Sequence, residues 1–164
     1  MSWPGDYDIG IGNGIDVTPL GPIYIDGSLN VAKNNIIDFS GPVFVEGNID
    51  FDKDAEFTGD GVIMAVGDIY LAKTNYFGGS SDSMIMSLTG DITFKKEAVV
   101  SAIVYAPVGN ITFDKSGVVN GSVLGANIQA DKEGNFVQNY AYYGGIQLPG
   151  YTSDAIKPLI WELD

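Results

Sequence analysis

The chain of 164 residues sets 21 acidic against 8 basic side chains, a formal charge of −13, with no cysteine and no histidine. That balance excludes nucleic-acid binding, which needs a basic surface to displace phosphate counterions. The two missing residue types exclude disulfides, zinc–thiolate sites and histidine-based catalytic triads.

Residues 1–20 read as an N-terminal cap with a partial rung, built from Ile9-Gly-Ile11 and Gly14-Ile-Asp-Val17 and lying 14 residues before Leu29. From Gly21 a 20-residue repeat begins. Gly21-Pro-Ile-Tyr-Ile-Asp-Gly-Ser-Leu-Asn-Val31 recurs as Gly41-Pro-Val-Phe-Val-Glu-Gly-Asn-Ile-Asp-Phe51 and as Gly61-Val-Ile-Met-Ala-Val-Gly-Asp-Ile-Tyr-Leu71. The half-motif Gly-(Asn/Asp/Ser)-(Ile/Leu)-x-apolar carries the phase on through Gly90-Asp-Ile-Thr-Phe94 and Gly109-Asn-Ile-Thr-Phe113 to Gly125-Ala-Asn-Ile-Gln-Ala130. Its central aliphatic residues are Leu29, Ile49, Ile69, Ile92, Ile111 and Ile128, spaced 20, 20, 23, 19 and 17 residues apart. The longest step carries its extra residues in Gly78-Gly-Ser-Ser-Asp-Ser83, a loop at a corner.

Each unit alternates apolar and polar residues, which predicts strands with one buried face. The inward residues read as Ile23, Ile25, Leu29 and Val31; Val43, Val45, Ile49 and Phe51; and Tyr105, Ile111 and Phe113. A third short apolar segment closes most units, as in Ile36-Ile-Asp-Phe39, Ala55-Glu-Phe57 and Val99-Val100. Short strands, tight corners and a fixed period predict an all-β fold, a single-stranded parallel β-helix of about six rungs over residues 21–138. Residues 139–164 form an aromatic C-terminal cap in this reading, and 1–164 make one domain. Rungs ~4.8 Å apart give a column roughly 25–30 Å long. Val31, Phe51, Leu71, Phe94 and Phe113 should stack as one ladder inside it.

The repeat also sorts polar and outward residues into columns. Lys33, Lys53, Lys73, Lys96, Lys115 and Lys132 fall four residues after each anchor. They are either a corner position balanced by neighbouring acids or a stripe for an acidic partner. Ser28, Asn48, Asp68, Asp91, Asn110 and Asn127 precede the anchors. Residues of this kind tolerate left-handed backbone and bond to their own main chain, which suggests a stacked turn; oxygen ligands for calcium are the alternative. The most acidic run, Asp50, Asp52 and Asp54, is where an adventitious calcium ion would sit, and no resident cofactor or metal is expected. Tyr24, Phe44 and Met64 should point outward as an apolar stripe, covered by the N-terminal segment with Trp3 and Tyr7, by the aromatic C-terminal segment, or by a protein partner.

Catalysis has little to stand on. Outward Asp50 with Asp26 or Asp52 could serve as a carboxylate pair. The equivalent positions carry Tyr70, Thr93 and Thr112, however, so no acidic cluster spans adjacent rungs, and no enzyme activity is expected.

Ile103-Val-Tyr-Ala-Pro-Val-Gly-Asn-Ile111, Val119-Asn-Gly-Ser-Val-Leu-Gly-Ala-Asn-Ile128 and the closing Ile160-Trp-Glu162 resemble the β-helical C-terminal domain of PilX-like type IV pilus assembly proteins. The similarity covers roughly residues 60–164. It implies a non-enzymatic structural or adhesive module at the cell surface, with a protein partner in a pilus-like appendage. Membrane contact is expected only through a preceding hydrophobic helix of the kind that family carries. Val119-Asn-Gly-Ser-Val123 is also similar to bactofilins, which polymerise end to end. A capped, monomeric domain is the expectation, with a polymer and a glycan-binding or glycan-cleaving β-helix, using Tyr24, Tyr70 and Asp50, as alternatives.

Overall fold

The computed structural model describes residues 1–10, 17–59, 61–73, 75–78, 83–130 and 135–137. Among them every element is a β-strand and every strand pair is parallel. The chain coils as a β-solenoid of about six turns with three faces.

The first face stacks Ser2–Trp3, Ile23–Ile25, Val43–Val45, Val62–Ala65, Met84–Ser87 and the leading halves of Ile103–Phe113 and Ser122–Ala130. The second stacks Tyr7–Ile9, Leu29–Val31, Ile49–Phe51, Ile69–Leu71, Ile92–Phe94 and the trailing halves of the same two long strands. Because those long strands run through the corner, the two faces join into one 12-stranded sheet. The third face is a 7-stranded sheet from Val17–Leu20 to Asn135–Val137.

The predicted register is observed. Leu29, Ile49, Ile69, Ile92, Ile111 and Ile128 are direct partners from turn to turn. The inner ladder Val31, Phe51, Leu71, Phe94 and Phe113 is at most 2% exposed, and the Phe94 and Phe113 rings stack 4.9 Å apart at 8°. Phe39, Phe57 and Phe77 form a second aromatic ladder from the third face, and Phe57 also touches Phe51. Such stacks add to simple area burial because offset rings attract one another. The long step falls at a corner as expected: Phe77 pairs with Val100 and Met84 with Val62 on either side of it.

Two expectations need correction. The first turn is fuller than the partial rung expected from Ile9-Gly-Ile11 and Gly14-Ile-Asp-Val17, of which residues 11–16 lie outside the described residues. Tyr7 is the partner of Leu29, 22 residues on, and Gly5-Asp-Tyr-Asp-Ile9 is a further copy of the half-motif with tyrosine at its aliphatic position. Residues 1–9 therefore supply strands to two faces, with Val17–Leu20 on the third. Second, Tyr105 does not point inward. It is in register with Met86 and Leu124, while Val104 and Ala106 fill the interior. The bulk of tyrosine fits the outward column, and the smaller pair fits the core. The cap expected at 139–164 lies outside the described residues.

Candidate functional site

One corner explains the repeat itself. Asp6 Oδ1 accepts the backbone N–H of Ser28 at 2.7 Å, Ser28 Oγ that of Asn48 at 3.2 Å, and Asn48 Oδ1 that of Asp68 at 2.9 Å. Asp68 Oδ1 then takes Asp91 N–H at 2.8 Å and Asp91 Oδ1 takes Asn110 N–H at 2.7 Å. The Asn127 amide donates to Asn110 Oδ1 at 3.0 Å. The column is thus a stacking clamp. The turn reading holds, though its expected cause does not: these residues bond to the next turn instead of to their own main chain, and none of them has a positive φ. The left-handed positions lie one corner further on, at Asn34, Asp54, Glu97 and Ser116, with φ of 61–62°, and at Lys115, with φ of 39°.

That further corner carries the lysines. Lys33, Lys53, Lys73, Lys96 and Lys115 occupy equivalent positions, and the carbonyls of Lys53, Lys73 and Lys115 accept N–H from Asn34, Asp54 and Glu97 of the turn before. Glu97 lies 3.2 Å from Lys96 and 3.8 Å from Lys73, and the Lys96 ammonium first of all holds its carboxyl below the usual range. Acids therefore sit between the stacked cations, which offsets their repulsion. Lys132 lies outside the described residues.

The three acids of the calcium candidate do not converge. Asp50 points out from the second face, Asp52 accepts the N–H of Lys53 at 2.7 Å, and Asp54 occupies a left-handed corner. Among the described residues no group of three or more acidic side chains is arranged to hold a metal ion. Partial burial, then the Asp52 charge, pushes the Asp50 carboxyl up.

The outward column of the first face is apolar. Strand register extends the predicted stripe from three members to six: Tyr24, Phe44, Met64, Met86, Tyr105 and Leu124 are partners in turn. Sequence reasoning missed the last three because the 23-residue step shifted Met86 out of a fixed 20-residue frame. Counting five residues back from each anchor finds Tyr24, Phe44 and Met64 but then lands on Ser87, Ala106 and Val123, so strand register alone recovers the last three. Residues 1–9 do not lie across this stripe. Ser2 and Trp3 pair edgewise with Tyr24 and Ile25, and Trp3 packs against Tyr7 at 4.8 Å. Beside the column runs a shallow hollow of about 310 Å3 lined by Met1, Pro22, Pro42, Phe44, Val62 and Met64.

Tyr24 anchors one end of this stripe. Its ring stacks on Phe44 at 5.4 Å and 6°, and its hydroxyl donates to Glu46 Oε1 at 2.6 Å. That hydrogen bond, reinforced by the carboxylate charge, pushes the phenol up to about 12. The unfolded chain releases this proton near pH 10, so folded stability is lost as pH rises from there through the folded value. Ultraviolet titration of tyrosinate should show a phenol ionising near pH 12 that disappears in Tyr24→Phe. An unchanged titration curve in that variant would refute the assignment.

The outward column of the second face is polar: Asp8, Asn30, Asp50, Tyr70, Thr93, Thr112 and Gln129 are partners in turn. Asn30 donates to Asp8 Oδ1 at 2.8 Å. The two faces therefore offer different chemistry on one rigid frame. No protein-family model, characterised protein or solved structure matches this chain.

Proposed function

We propose that the chain is a non-enzymatic structural module of a pilus-like cell-surface appendage, and that its first face docks a neighbouring protein subunit. The observation that carries this reading is the six-membered outward column from Tyr24 to Leu124. Met86 is buried, at 5% exposure, and the exposed or half-exposed members on either side of it, Tyr24, Phe44, Met64, Tyr105 and Leu124, supply the surface. Apolar surface of this kind marks contact sites, and aromatic residues and methionine are enriched at interface cores. Stacked sheets hold the column in register, so the face needs little ordering on binding. Asp26 and Glu46 border it, and the formal charge is −13, which suits a partner with an apolar centre and a basic rim. The similarity to PilX-like domains supports an extracellular setting.

A photo-crosslinking amino acid at Met64, introduced in the native cells, should capture an appendage subunit at the cell surface. The same group at Glu56, on the third face, should not. Equal capture at both positions, or recovery of the protein solely from the cytosol, would sink this reading.

A further inference from the structure

The second face is indented as well. Two hollows share Asp50: one of about 340 Å3 lined by Asn48, Asp50, Asp68, Tyr70, Asp91 and Thr93, the other of about 440 Å3 lined by Asp8, Asn30, Ala32, Asp50 and Asp52. Together they make a trough that crosses five turns along the axis of the coil. Tyr70 stands between Asp50 and Thr93 with 37% of its surface exposed. Unlike Tyr24, whose ring stacks on Phe44, it has no aromatic partner in its column. Lys95 reaches only to 6.0 Å from its centre and also lies 3.6 Å from Asp114.

From this arrangement we infer that the trough binds a linear, uncharged, hydroxyl-rich saccharide lying along the coil. Three observations select that chemistry. The main-chain groups of these strands are used by the turns above and below, so the face cannot take a peptide by strand addition and offers only side chains. Its side chains are chiefly acceptors: Asp8, Asn48, Asp52, Asp68 and Asp91 each already accept a hydrogen bond from the protein, and Asp50 with the carboxylate oxygens left over calls for donors from the ligand. They recur at every turn, ~4.8 Å apart, a spacing that a polymer of hydroxyl-bearing rings can follow. Tyr70 supplies the apolar shelf on which the C–H face of one sugar ring rests. The surrounding aspartates repel uronates, sulfated sugars and other polyanions.

The site is independent of the docking face, so each can fail without the other. Calorimetric titration of the full chain with cellohexaose, laminarihexaose and maltohexaose should give a Kd at or below about 1 mM for at least one of them. Tyr70→Ala should weaken that affinity by about tenfold or more, equivalent to about 1.4 kcal/mol. Asp50→Asn should weaken it less, because the amide keeps one acceptor oxygen. Tyr76→Ala, which removes an exposed tyrosine from the third face, should leave binding unchanged, with circular dichroism confirming that all three variants fold. Three results would overturn the inference: no saccharide bound at 1 mM, equal losses in the Tyr70 and Tyr76 variants, or hexalysine binding with the saccharides inert.

Discussion

Phe94→Asp should abolish folding, leaving a chain with no sheet signal in far-ultraviolet circular dichroism and an expanded elution volume. Phe94 is fully buried between Leu71 and Phe113, its ring stacked on that of Phe113. Removing a buried phenylalanine side chain costs about 3–5 kcal/mol through lost transfer energy and the cavity left behind. Aspartate adds the cost of an unpaired carboxylate in an apolar interior, several kcal/mol more unless it is protonated. Domain stabilities of about 5–15 kcal/mol leave little after such a loss. In a solenoid each turn is supported mainly by its neighbours, and Phe94 sits mid-column, where both neighbours depend on it. Phe94→Leu keeps most of the volume and should cost about 1–2 kcal/mol, so it should fold. A folded, cooperatively melting Phe94→Asp protein would show that the ladder is not the core.

This interior was legible in the sequence because period-two alternation and a conserved phase fix both the face and the register of every strand. Val31, Phe51, Leu71, Phe94 and Phe113 could be placed by counting alone. Where counting failed, the residue chemistry was ambiguous. Tyr105 satisfies either an inward or an outward position by hydrophobicity, and only its pairing with Met86 and Leu124 decides between them. Tyr7 escapes a motif defined by aliphatic residues, yet Gly5-Asp6 before it carries the clamp that reaches Ser28. The functional faces were legible in part. The stripe at Tyr24, Phe44 and Met64 follows from alternation, whereas the trough around Asp50 and Tyr70 depends on the relief of the surface between turns, which a period does not encode.

The glycine before each clamp residue from Asp6 to Asn110 answers to a different constraint, and a double-mutant cycle should expose it. A Cβ on Gly67 would collide with Asn48 Oδ1, the atom that accepts the Asp68 N–H. The repeat therefore keeps glycine there because the clamp from the turn below occupies the space of its side chain. Gly67→Ala should destabilise by about 1–3 kcal/mol, since the collision displaces Asn48 and orphans a backbone donor. Asn48→Ala alone removes the same hydrogen bond and should cost a similar amount. Combined, the two losses should not add: without the Asn48 side chain, the nearest remaining contact of the new methyl is Gly47 O at 3.1 Å, a tight approach that small shifts can relieve. The coupling should reach about 1 kcal/mol or more, as expected for residues that share one interaction. Gly109 supplies the contrast. There the atom in the way is the backbone carbonyl of Gly90, so no side-chain truncation can relieve Gly109→Ala. Urea denaturation of the four cycle members and of Gly109→Ala, alone and with Asp91→Ala, measures both effects. Strict additivity at Gly67 and Asn48 would mean that glycine is retained there for a reason other than the clamp, and rescue of Gly109→Ala by Asp91→Ala would mean that the clamp side chain, not the Gly90 carbonyl, obstructs that position.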